Sequence, residues 1–494
     1  MKTRHLVFKW LMVIVLLAGL TQAFSPSIVS GQTPGDRGKA CTTVIVGKQA
    51  SADGSVLMAH EEDYAPNDAM KVVHHPRQIH KPGEVIHFAF ESVPQVPLTY
   101  AYTADEMYAP ERLGMPPASF MNGINEWGVA MDSNCIDAQE PILSEENDMG
   151  LGWPEIGQLV MERAKTAKEG IDLAASLVDE YTFNGFEVSS CKHLAFLVSD
   201  PNEGWVIEVT RRHWVAQRVP DDGAVYYANE CRIGADYDMA SDDLIDYAVA
   251  QGWYVPGPVP FNFKDVYCGP FLGQEWNTKR QERAEFLVKP KLGTVTVQDL
   301  MATMRDHYEG TADYAIPYTG GYDGPTVVPI CNSSNHASEV YHLRSWLPRE
   351  IGPVMFITAA SPDMSIYNPI YAGYAGQTPV EWRTATDSFA PDSAWWNFEY
   401  IQRTVASHHP LPDAAFYAAK FPHIRASFDR VEQQQFREMV KLEKTAAQFI
   451  AKGKVDQAKK LISTFSNSSL HQNYVRAKTM LHWLFAKGGV PGEE

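Results

Sequence analysis

The sequence predicts an α+β fold that ends in a block of helices. β-branched and apolar runs of strand length, separated by turns that contain Asp and Gly, recur between residues 41 and 227. Two amphipathic segments within 153–181 interrupt these runs, and apolar side chains recur at helical spacing from 427 to 484. With 494 residues, 45% of them hydrophobic, the chain is long enough to bury a large core.

The first two predicted strands form a hairpin that begins at a cysteine. Cys41 precedes the β-branched run 42–46, and a second apolar run, 55–59, follows a turn that ends in Asp-Gly. The second strand leads directly into the polar cluster 60–63. The hairpin therefore returns a charged cluster towards the thiol of Cys41.

The remaining elements are predicted from their periodicity. We expect further strands near 122–131, 193–198, 205–209, 213–219, 224–227, 330–343 and 354–358, and helices near 153–167, 171–181, 297–307, 395–405, 427–452, 455–464 and 472–484. The strands from 193 to 227 are predicted to continue one antiparallel meander. The Pro- and Gly-rich segment 251–273 predicts an irregular loop near the site. The amphipathic C-terminal helices are predicted to pack on the domain before them.

Charge and the N-terminal segment limit the function classes. A formal net charge of −18 argues against nucleic acid as a partner, because phosphates demand basic surfaces. A basic start, an apolar run at 11–20 and Thr21-Gln22-Ala23 predict a signal peptide over 1–23. No other stretch reaches the roughly 18 apolar residues of a membrane helix, so no membrane anchor is expected after cleavage. We therefore expect an exported protein, periplasmic or extracellular, in which disulfides can form.

Cys41 is the predicted nucleophile, as the first residue of the mature protein. Residues 24–40 are polar and aperiodic, which is typical of a removable propeptide. A free α-amino group at Cys41, with a pKa of roughly 7.7–8.0, can take the proton of the thiol, so one residue supplies nucleophile and base. Of the six cysteines, a nucleophilic Cys41 leaves an odd number, so at least one more stays unpaired, and the pairing of the others is open. Motifs for a serine nucleophile, a zinc protease or a phosphate-binding loop are missing, and neither metal nor cofactor is predicted.

Several segments resemble the C69 family of cysteine dipeptidases, which are N-terminal-nucleophile hydrolases. The resemblance is carried by Cys41-Thr42-Thr43-Val44-Ile45-Val46-Gly47-Lys48, by 50–55 and 59–63, and by the later segments 123–130, 208–222, 228–234 and 338–344. It implies a four-layer αββα sandwich over residues 41–405 that begins at Cys41 after removal of residues 1–40. It also implies a small peptide substrate and no cofactor; the oligomeric state is open, and a homo-oligomer is compatible with it. Beyond the resemblance, the amphipathic segments predict a helical C-terminal extension over 406–494.

The resemblance also implies the site residues. In the related penicillin V acylases and bile salt hydrolases, an Arg-x-x-Asp follows the nucleophile and two Asn residues lie downstream. Asp63 matches the Asp, Asn134 and Asn229 match the two asparagines, and His60 stands where that pattern has Arg. An imidazole is only partly protonated at neutral pH, so this departure weakens the cationic support of the thiol.

Four charged residues are predicted to bind substrate. Glu61 and Glu62 offer an anion for the ammonium group of a peptide, with solvated carboxylates as the alternative. Arg232 and Arg344 lie in segments that resemble the family, with surface or salt-bridge roles as the alternative.

The predicted activity is hydrolysis of dipeptides or short peptides. One alternative keeps the chemistry and changes the substrate to an N-acyl amide, as in penicillin V acylases and bile salt hydrolases. The other is a secreted, non-catalytic binding protein on the same scaffold.

Overall fold

The computed structural model describes residues 41–63, 69–107, 119–141, 150–185, 191–314, 328–406 and 414–486. The predicted signal peptide and propeptide, 1–40, lie outside this part. The strands are β1 (Thr42–Val46), β2 (Val56–Asp63), β3 (Met70–His75), β4 (Gln78–Ile79), β5 (Val85–His87), β6 (Ser92–Pro94), β7 (Leu98–Thr99), β8 (Tyr102–Met107), β9 (Ser119–Asn125), β10 (Ala130–Ile136), β11 (His193–Ser199), β12 (Gly204–Val209), β13 (Trp214–Arg218), β14 (Ala224–Tyr227), β15 (Met239–Ala240), β16 (Asn335–Leu343), β17 (Pro353–Ile357) and β18 (Asn368–Tyr371). The helices are α1 (Trp153–Arg163), α2 (Ala167–Tyr181), α3 (Leu244–Ala250), α4 (Phe263–Tyr267), α5 (Glu275–Val288), α6 (Val297–Thr303), α7 (Val380–Arg383), α8 (Ala394–Ala406), α9 (Ala414–Ala451) and α10 (Val455–Ala486).

One sheet has six strands in the order β14-β1-β2-β16-β17-β18. The predicted hairpin lies at its centre, with Thr42 opposite Glu61 and Thr43 opposite His60. Its turn is fixed locally: Asp53 Oδ1 accepts a hydrogen bond from the Ser55 amide at 3.1 Å, and Gly54 adopts φ 85°, which costs a residue without a Cβ little. The prediction that a strand, a turn and a second strand follow Cys41 is confirmed.

The other large sheet has eight strands in the order β15-β13-β12-β11-β10-β9-β8-β3. Helices α1 and α2 stand between β10 and β11, as the sequence predicts. The prediction for 224–227 is wrong in one respect: β14 leaves the meander and pairs with β1, with Tyr227 opposite Thr43. The local pattern predicts a strand but does not define which strand lies beside it. The turn at 220–223 brings β14 to β1, and the Gly47 amide there donates to the Gly223 carbonyl at 2.9 Å.

Three clusters of buried apolar side chains hold these elements together. The first contains Ile45 and Met58 of the six-stranded sheet together with Leu197 and Val206 of the eight-stranded sheet. The second joins the eight-stranded sheet to α1 and α2, and the third joins the six-stranded sheet to α5, α6, α9 and α10. Apolar contacts therefore exist between the two sheets and between each sheet and helices.

The C-terminal helices pack on the sheets rather than standing apart. Phe428 of α9 and Leu470 of α10 belong to the same buried cluster as strand residues of both sheets, which confirms the predicted packing. The sequence predicts two helices after residue 455, but α10 is one continuous helix. The weak helix formers at 466–469 stay helical because tertiary contacts bury this turn, with Ser466 and Leu470 fully buried. None of the described helices combines the length and the apolar content needed to cross a membrane.

Two differences concern the segment before β16. Within the predicted irregular loop 251–273, the structure contains α4 and a 3-10 turn at Gly269–Phe271. The next helix, α5, has no counterpart in the prediction because its buried face is largely polar, so apolar periodicity does not reveal it. Its buried residues are Asn277, Arg280, Gln281, Arg283, Ala284 and Val288.

Candidate active site

The thiol of Cys41 begins a chain of buried hydrogen bonds between the two large sheets. Cys41 Sγ donates to Glu62 Oε1 at 3.3 Å, and Glu62 Oε2 lies 3.1 Å from His60 Nε2. The other ring nitrogen, His60 Nδ1, lies 2.7 Å from Thr43 Oγ1, and that hydroxyl donates to Asn134 Oδ1 at 2.5 Å. Side chains alternate along strands, so Thr43, His60 and Glu62 reach this same face.

This chain defines the protonation of His60. Thr43 has a single proton and donates it to Asn134, so His60 Nδ1 must donate to Thr43. The other ring nitrogen, Nε2, lies 3.1 Å from Glu62 Oε2. Burial lowers the pKa of His60, but the hydrogen bond with Glu62 and the charge of Asp132 outweigh it, and the net pKa is raised. These contacts favour the protonated form of His60 at the position where the related acylases have Arg, and Glu62 is its ion-pair partner at 3.1 Å.

The thiol of Cys41 is kept protonated by its surroundings. Burial raises its pKa well above the ordinary value, and the charges of Glu62, Asp63 and Glu61 raise it further. The backbone amide of Asp63 lowers the same pKa by a hydrogen bond, without reversing the shift. A nucleophile in this environment needs a base within reach of its proton.

Glu61 and Asp63 point to the opposite face of β2 and are held by asparagines. Asp63 accepts from Asn335 Nδ2 at 2.6 Å and from Asn332 Nδ2 at 2.8 Å, and Asn335 also donates to Glu61. A bulge in β16 between Asn335 and Ala337 lets Asn335 reach both carboxylates. Burial raises the pKa of Asp63 to about 6 and that of Glu61 well above its ordinary value. Asn332 and Asn335 have no separate signal in the sequence.

A fully buried arginine, Arg280 of α5, holds the backbone at the thiol. Its guanidinium donates to the Cys41 carbonyl at 2.8 Å, to Asn229 Oδ1 at 2.8 Å and to Asn277 Oδ1 at 2.8 Å. Arg280 was not predicted, because the polar buried face of α5 gives no apolar periodicity in the sequence. The available signal was the spacing of Asn277 and Arg280, which places two polar side chains on one helix face.

The two predicted asparagines lie close to this arrangement. Asn229 Nδ2 donates to the Cys135 carbonyl at 3.0 Å, and Asn134 Nδ2 donates to the Ala228 carbonyl at 3.4 Å. Two disulfides lie beside them, Cys135–Cys191 and Cys231–Cys268. Cys331 is free and buried, which confirms that a second cysteine besides Cys41 stays unpaired.

A group of buried acids extends from Glu62 into the space between the sheets, and the sequence analysis did not select it. Burial raises the pKa of Asp132 to about 7 and the pKa values of Asp105 and Glu339 well above their ordinary values. Tyr341 donates its hydroxyl to Asp132 Oδ1 at 2.8 Å. The alternation of β10, which puts Asp132 and Asn134 on one face, was the sequence signal for this group.

The two arginines that were predicted to bind substrate lie in different surroundings. Arg232 is exposed, and its backbone amide donates to Glu208. Arg344 follows β16, whose last residue pairs with Val56 at the far end of β2 from Glu61. Its guanidinium lies 2.8 Å from Glu443 of α9 and 2.8 Å from the Gly352 carbonyl. The structure therefore gives Arg344 a structural role, because its N–H groups donate to Glu443 and to the Gly352 carbonyl, far from Cys41.

The chain is similar to several known proteins. The chain is 28% identical over 371 residues to a protein from Salmonella dublin named probable dipeptidase, with 69% of this chain and 82% of that protein covered. It is 26% identical over 392 residues to probable dipeptidase B of Lactococcus lactis, with 72% and 79% covered. Among solved structures, a penicillin V acylase from Agrobacterium tumefaciens is 14% identical, with a TM-score of 0.39 and coverage of 67% of this chain and 86% of that one.

The sequence profile of peptidase family C69 matches residues 40–418, which is most of the chain. The match begins one residue before the cysteine around which the buried network is built. The resemblance noted in the sequence is thereby confirmed, and the protein belongs to peptidase family C69.

Proposed function

We propose that this protein is a dipeptidase that uses Cys41 as an N-terminal nucleophile once residues 1–40 are removed. The observation that carries the proposal is the placement of Cys41. Its thiol lies 3.3 Å from Glu62, and its backbone carbonyl is fixed by the fully buried Arg280 at 2.8 Å. The relatives from Salmonella dublin and Lactococcus lactis, which are named probable dipeptidases, support the substrate class.

The proposed reaction has two steps. The free amine of Cys41 takes the proton of the thiol, and the thiolate attacks the peptide carbonyl carbon. The C–N bond then breaks, the leaving amine takes the proton from the Cys41 ammonium group, and a thioester remains on Sγ. Water attacks the thioester with the same amine as base, which releases the acid and restores the thiol.

The asparagines supply donors for the developing oxyanion in this proposal. An amide group carries two N–H donors, and Asn229 uses one on the Cys135 carbonyl at 3.0 Å. The second is available for a tetrahedral intermediate, where one such donor is worth roughly 2.7–4 kcal/mol. Arg280, bound to Asn229 Oδ1, fixes the orientation of that amide.

The charge around the thiol favours a substrate with a free ammonium group. Glu62 contacts the thiol of Cys41 at 3.3 Å, and Glu61 and Asp63, on the opposite face of β2, are still near enough to raise the pKa of the thiol. A dipeptide brings a cation into this acidic surrounding, whereas an N-acylated amide brings none. Because of this difference, we favour the dipeptidase hypothesis over the N-acyl amide hydrolase hypothesis.

We further propose a four-layer αββα sandwich and export of the mature protein. The three apolar clusters, one shared by the two sheets and one on each helix-covered side, support the layering. The two disulfides support an oxidising compartment, in agreement with the signal peptide expected over 1–23.

The test combines intact mass with substrate comparison on protein isolated from the producing cell. We expect wild-type protein to begin at Cys41 and to hydrolyse dialanine, and to leave N-acetyl-dialanine and penicillin V intact. Cys41→Ala should retain residues 1–40 and be inactive. Active wild-type protein that begins near Phe24 would contradict the processing, and preference for penicillin V would favour the N-acyl amide hydrolase.

Thiol labelling separates the enzyme from a binding protein on the same scaffold. Iodoacetamide should modify Cys41 rapidly and with a pH dependence, while the other free thiol, Cys331, serves as the buried reference in the same peptide map. Equal, slow labelling of both, with no hydrolysis of any substrate, would favour a non-catalytic binding protein.

A further inference from the structure

We propose that His307, Cys331 and Asp363 form a Zn²⁺ site separate from the Cys41 thiol. All three residues are buried, and one ligand atom from each, a ring nitrogen, a sulfur and a carboxylate oxygen, lie within 4.8 Å of one another. They come from three segments: the chain after α6, the chain before β16, and the 3-10 turn Pro362–Met364 between β17 and β18. Thiolate, imidazole and carboxylate are the ligands that zinc takes in proteins.

The spacing suits a metal better than a direct hydrogen bond. His307 Nε2 and Asp363 Oδ2 are 3.4 Å apart, which is longer than a normal N–H···O bond. Two ligands on a tetrahedral zinc with bonds of roughly 2.0–2.3 Å are about 3.3–3.6 Å apart. In the described part of the chain neither atom has a hydrogen-bond partner, although both residues are buried. A cation between them satisfies both atoms, which would otherwise be costly to bury.

The surrounding residues orient the two ligands. Nδ1 of His307 lies 2.9 Å from Glu309 Oε1, and a carboxylate there accepts the ring proton, which leaves Nε2 bare towards the cluster. Asp363 Oδ1 accepts from the Ser361 hydroxyl at 2.7 Å, which leaves Oδ2 for the cluster. Metal-bound histidines and carboxylates are held in this way by their outer neighbours. The Cys331 sulfur lies 3.2 Å from the same Ser361 hydroxyl.

The Cys41 group provides an internal comparison. Cys41, His60 and Glu62 are the same kinds of donor within the same 4.8 Å limit. There, however, Thr43 and Glu62 occupy both ring nitrogens of His60, and Glu62 accepts from the thiol. Hydrogen bonds complete that group without a metal, whereas in the His307 group Nε2 and Asp363 Oδ2 face each other at 3.4 Å, within ion-pair distance but without a hydrogen bond.

The zinc site would restrain the segment before β16, which carries a hydrogen-bond partner of Asp63. Cys331 directly precedes Asn332, which donates to Asp63 at 2.8 Å. A metal that ties Cys331 to His307 and Asp363 therefore restrains the backbone that carries Asn332. We assign the ion a structural role, because its three ligands are all buried.

The test measures zinc on the full chain in a Cys41→Ser background, so that the nucleophile cannot contribute sulfur. Protein stripped with a chelator and reloaded with ZnCl₂ should hold about one zinc per chain after desalting, and its Tm should rise. Cys331→Ser added to this background should lose the zinc, and Glu309→Gln should bind it 10–100-fold more weakly. Activity does not enter this readout, so failure of the proposed dipeptidase function does not affect it.

Cobalt provides a measurement that needs no ligand variant. Co²⁺ added to the stripped Cys41→Ser protein should give a thiolate-to-metal charge-transfer band, since Cys331 is then the only free cysteine in the described part of the chain. Absence of this band together with absence of bound zinc would overturn the proposal. Zinc that persists in the Cys331→Ser variant would overturn it as well.

Discussion

Arg344 was predicted to bind substrate, but in the structure it forms an ion pair with Glu443. Its guanidinium makes two contacts with Glu443, at 2.8 and 2.9 Å, and also donates to the backbone carbonyls of Gly352 and Ile351 at 2.8 and 3.0 Å. Glu443 in turn accepts from the Tyr371 hydroxyl at 3.0 Å. The Arg344 and Glu443 side chains are 10% and 13% exposed. The pair therefore fastens α9 to the end of β16.

The Arg344→Met variant should lower the free energy of unfolding by about 3 kcal/mol. Breaking a buried ion pair by removing one partner costs roughly 3–5 kcal/mol, because the other charge stays buried. We take the lower end of this range because both side chains keep some contact with water. Glu443→Gln should lose less, since its amide keeps the shape of the carboxylate and part of the hydrogen bonding. The double variant should lose less than the sum of the two.

The assay is urea unfolding combined with steady-state kinetics on a dipeptide. Arg344→Met should lower the unfolding midpoint and leave KM unchanged, because Arg344 lies at the far end of β2 from Cys41. The matched control is Arg437→Met on α9, the helix that carries Glu443, since Arg437 is exposed and its guanidinium donates to Gln434. This control should change the free energy of unfolding by less than about 0.5 kcal/mol. A tenfold rise in KM with unchanged stability would refute this reasoning and restore Arg344 to the substrate site.

Four further predictions concern the Cys41 region. Asn229→Ala should lower kcat by about 10²–10³-fold with folding intact, and a fully active variant would remove Asn229 from the site. The pKa of His60 is raised in the folded state, so wild type should be more stable than His60→Gln at low pH. Urea unfolding should show the full difference in free energy of unfolding below about pH 6.5 and its loss as pH rises through the folded-state pKa. The bell-shaped pH profile of kcat/KM should broaden on its alkaline side in His60→Arg, and superimposable profiles would show that His60 lends no charge to the thiol. Burial raises the pKa of Asp63 from 3.8 to about 6, so the folded state binds the carboxyl proton more tightly than the unfolded state does. The free energy of unfolding of wild type should therefore fall relative to that of Asp63→Asn as pH rises from 3.8 to about 6. Equal pH slopes for the two proteins would contradict this assignment.

The parts of the site that could be predicted are those encoded in a short stretch of chain. The hairpin, the thiol and the cluster at 60–63 lie within one local pattern of strand, turn and strand. Asn134 and Asn229 required the family resemblance, because an asparagine in a strand or turn carries no signal of its own.

The parts that escaped prediction depend on tertiary structure. Arg280 lies on a helix whose buried face is polar, so the apolar periodicity that reveals helices is missing there. Asn335 reaches Glu61 and Asp63 through a bulge whose position the sequence does not define. The partner of β14 and the continuity of α10 were likewise decided by packing, which can override a weak local preference.

The two disulfides lie on either side of the Asn229 amide in the chain. One bridge starts at Cys135, whose carbonyl accepts the Asn229 amide, and the other starts at Cys231, two residues after Asn229. A reduced chain lacks both restraints on this amide, so we expect it to fold with the proposed oxyanion donor poorly placed and to hydrolyse slowly. Newly made chains would then stay latent among the peptides of a reducing cytoplasm and gain activity only where thiols are oxidised. Activity that is unchanged by complete reduction of both bridges would show that no such delay operates.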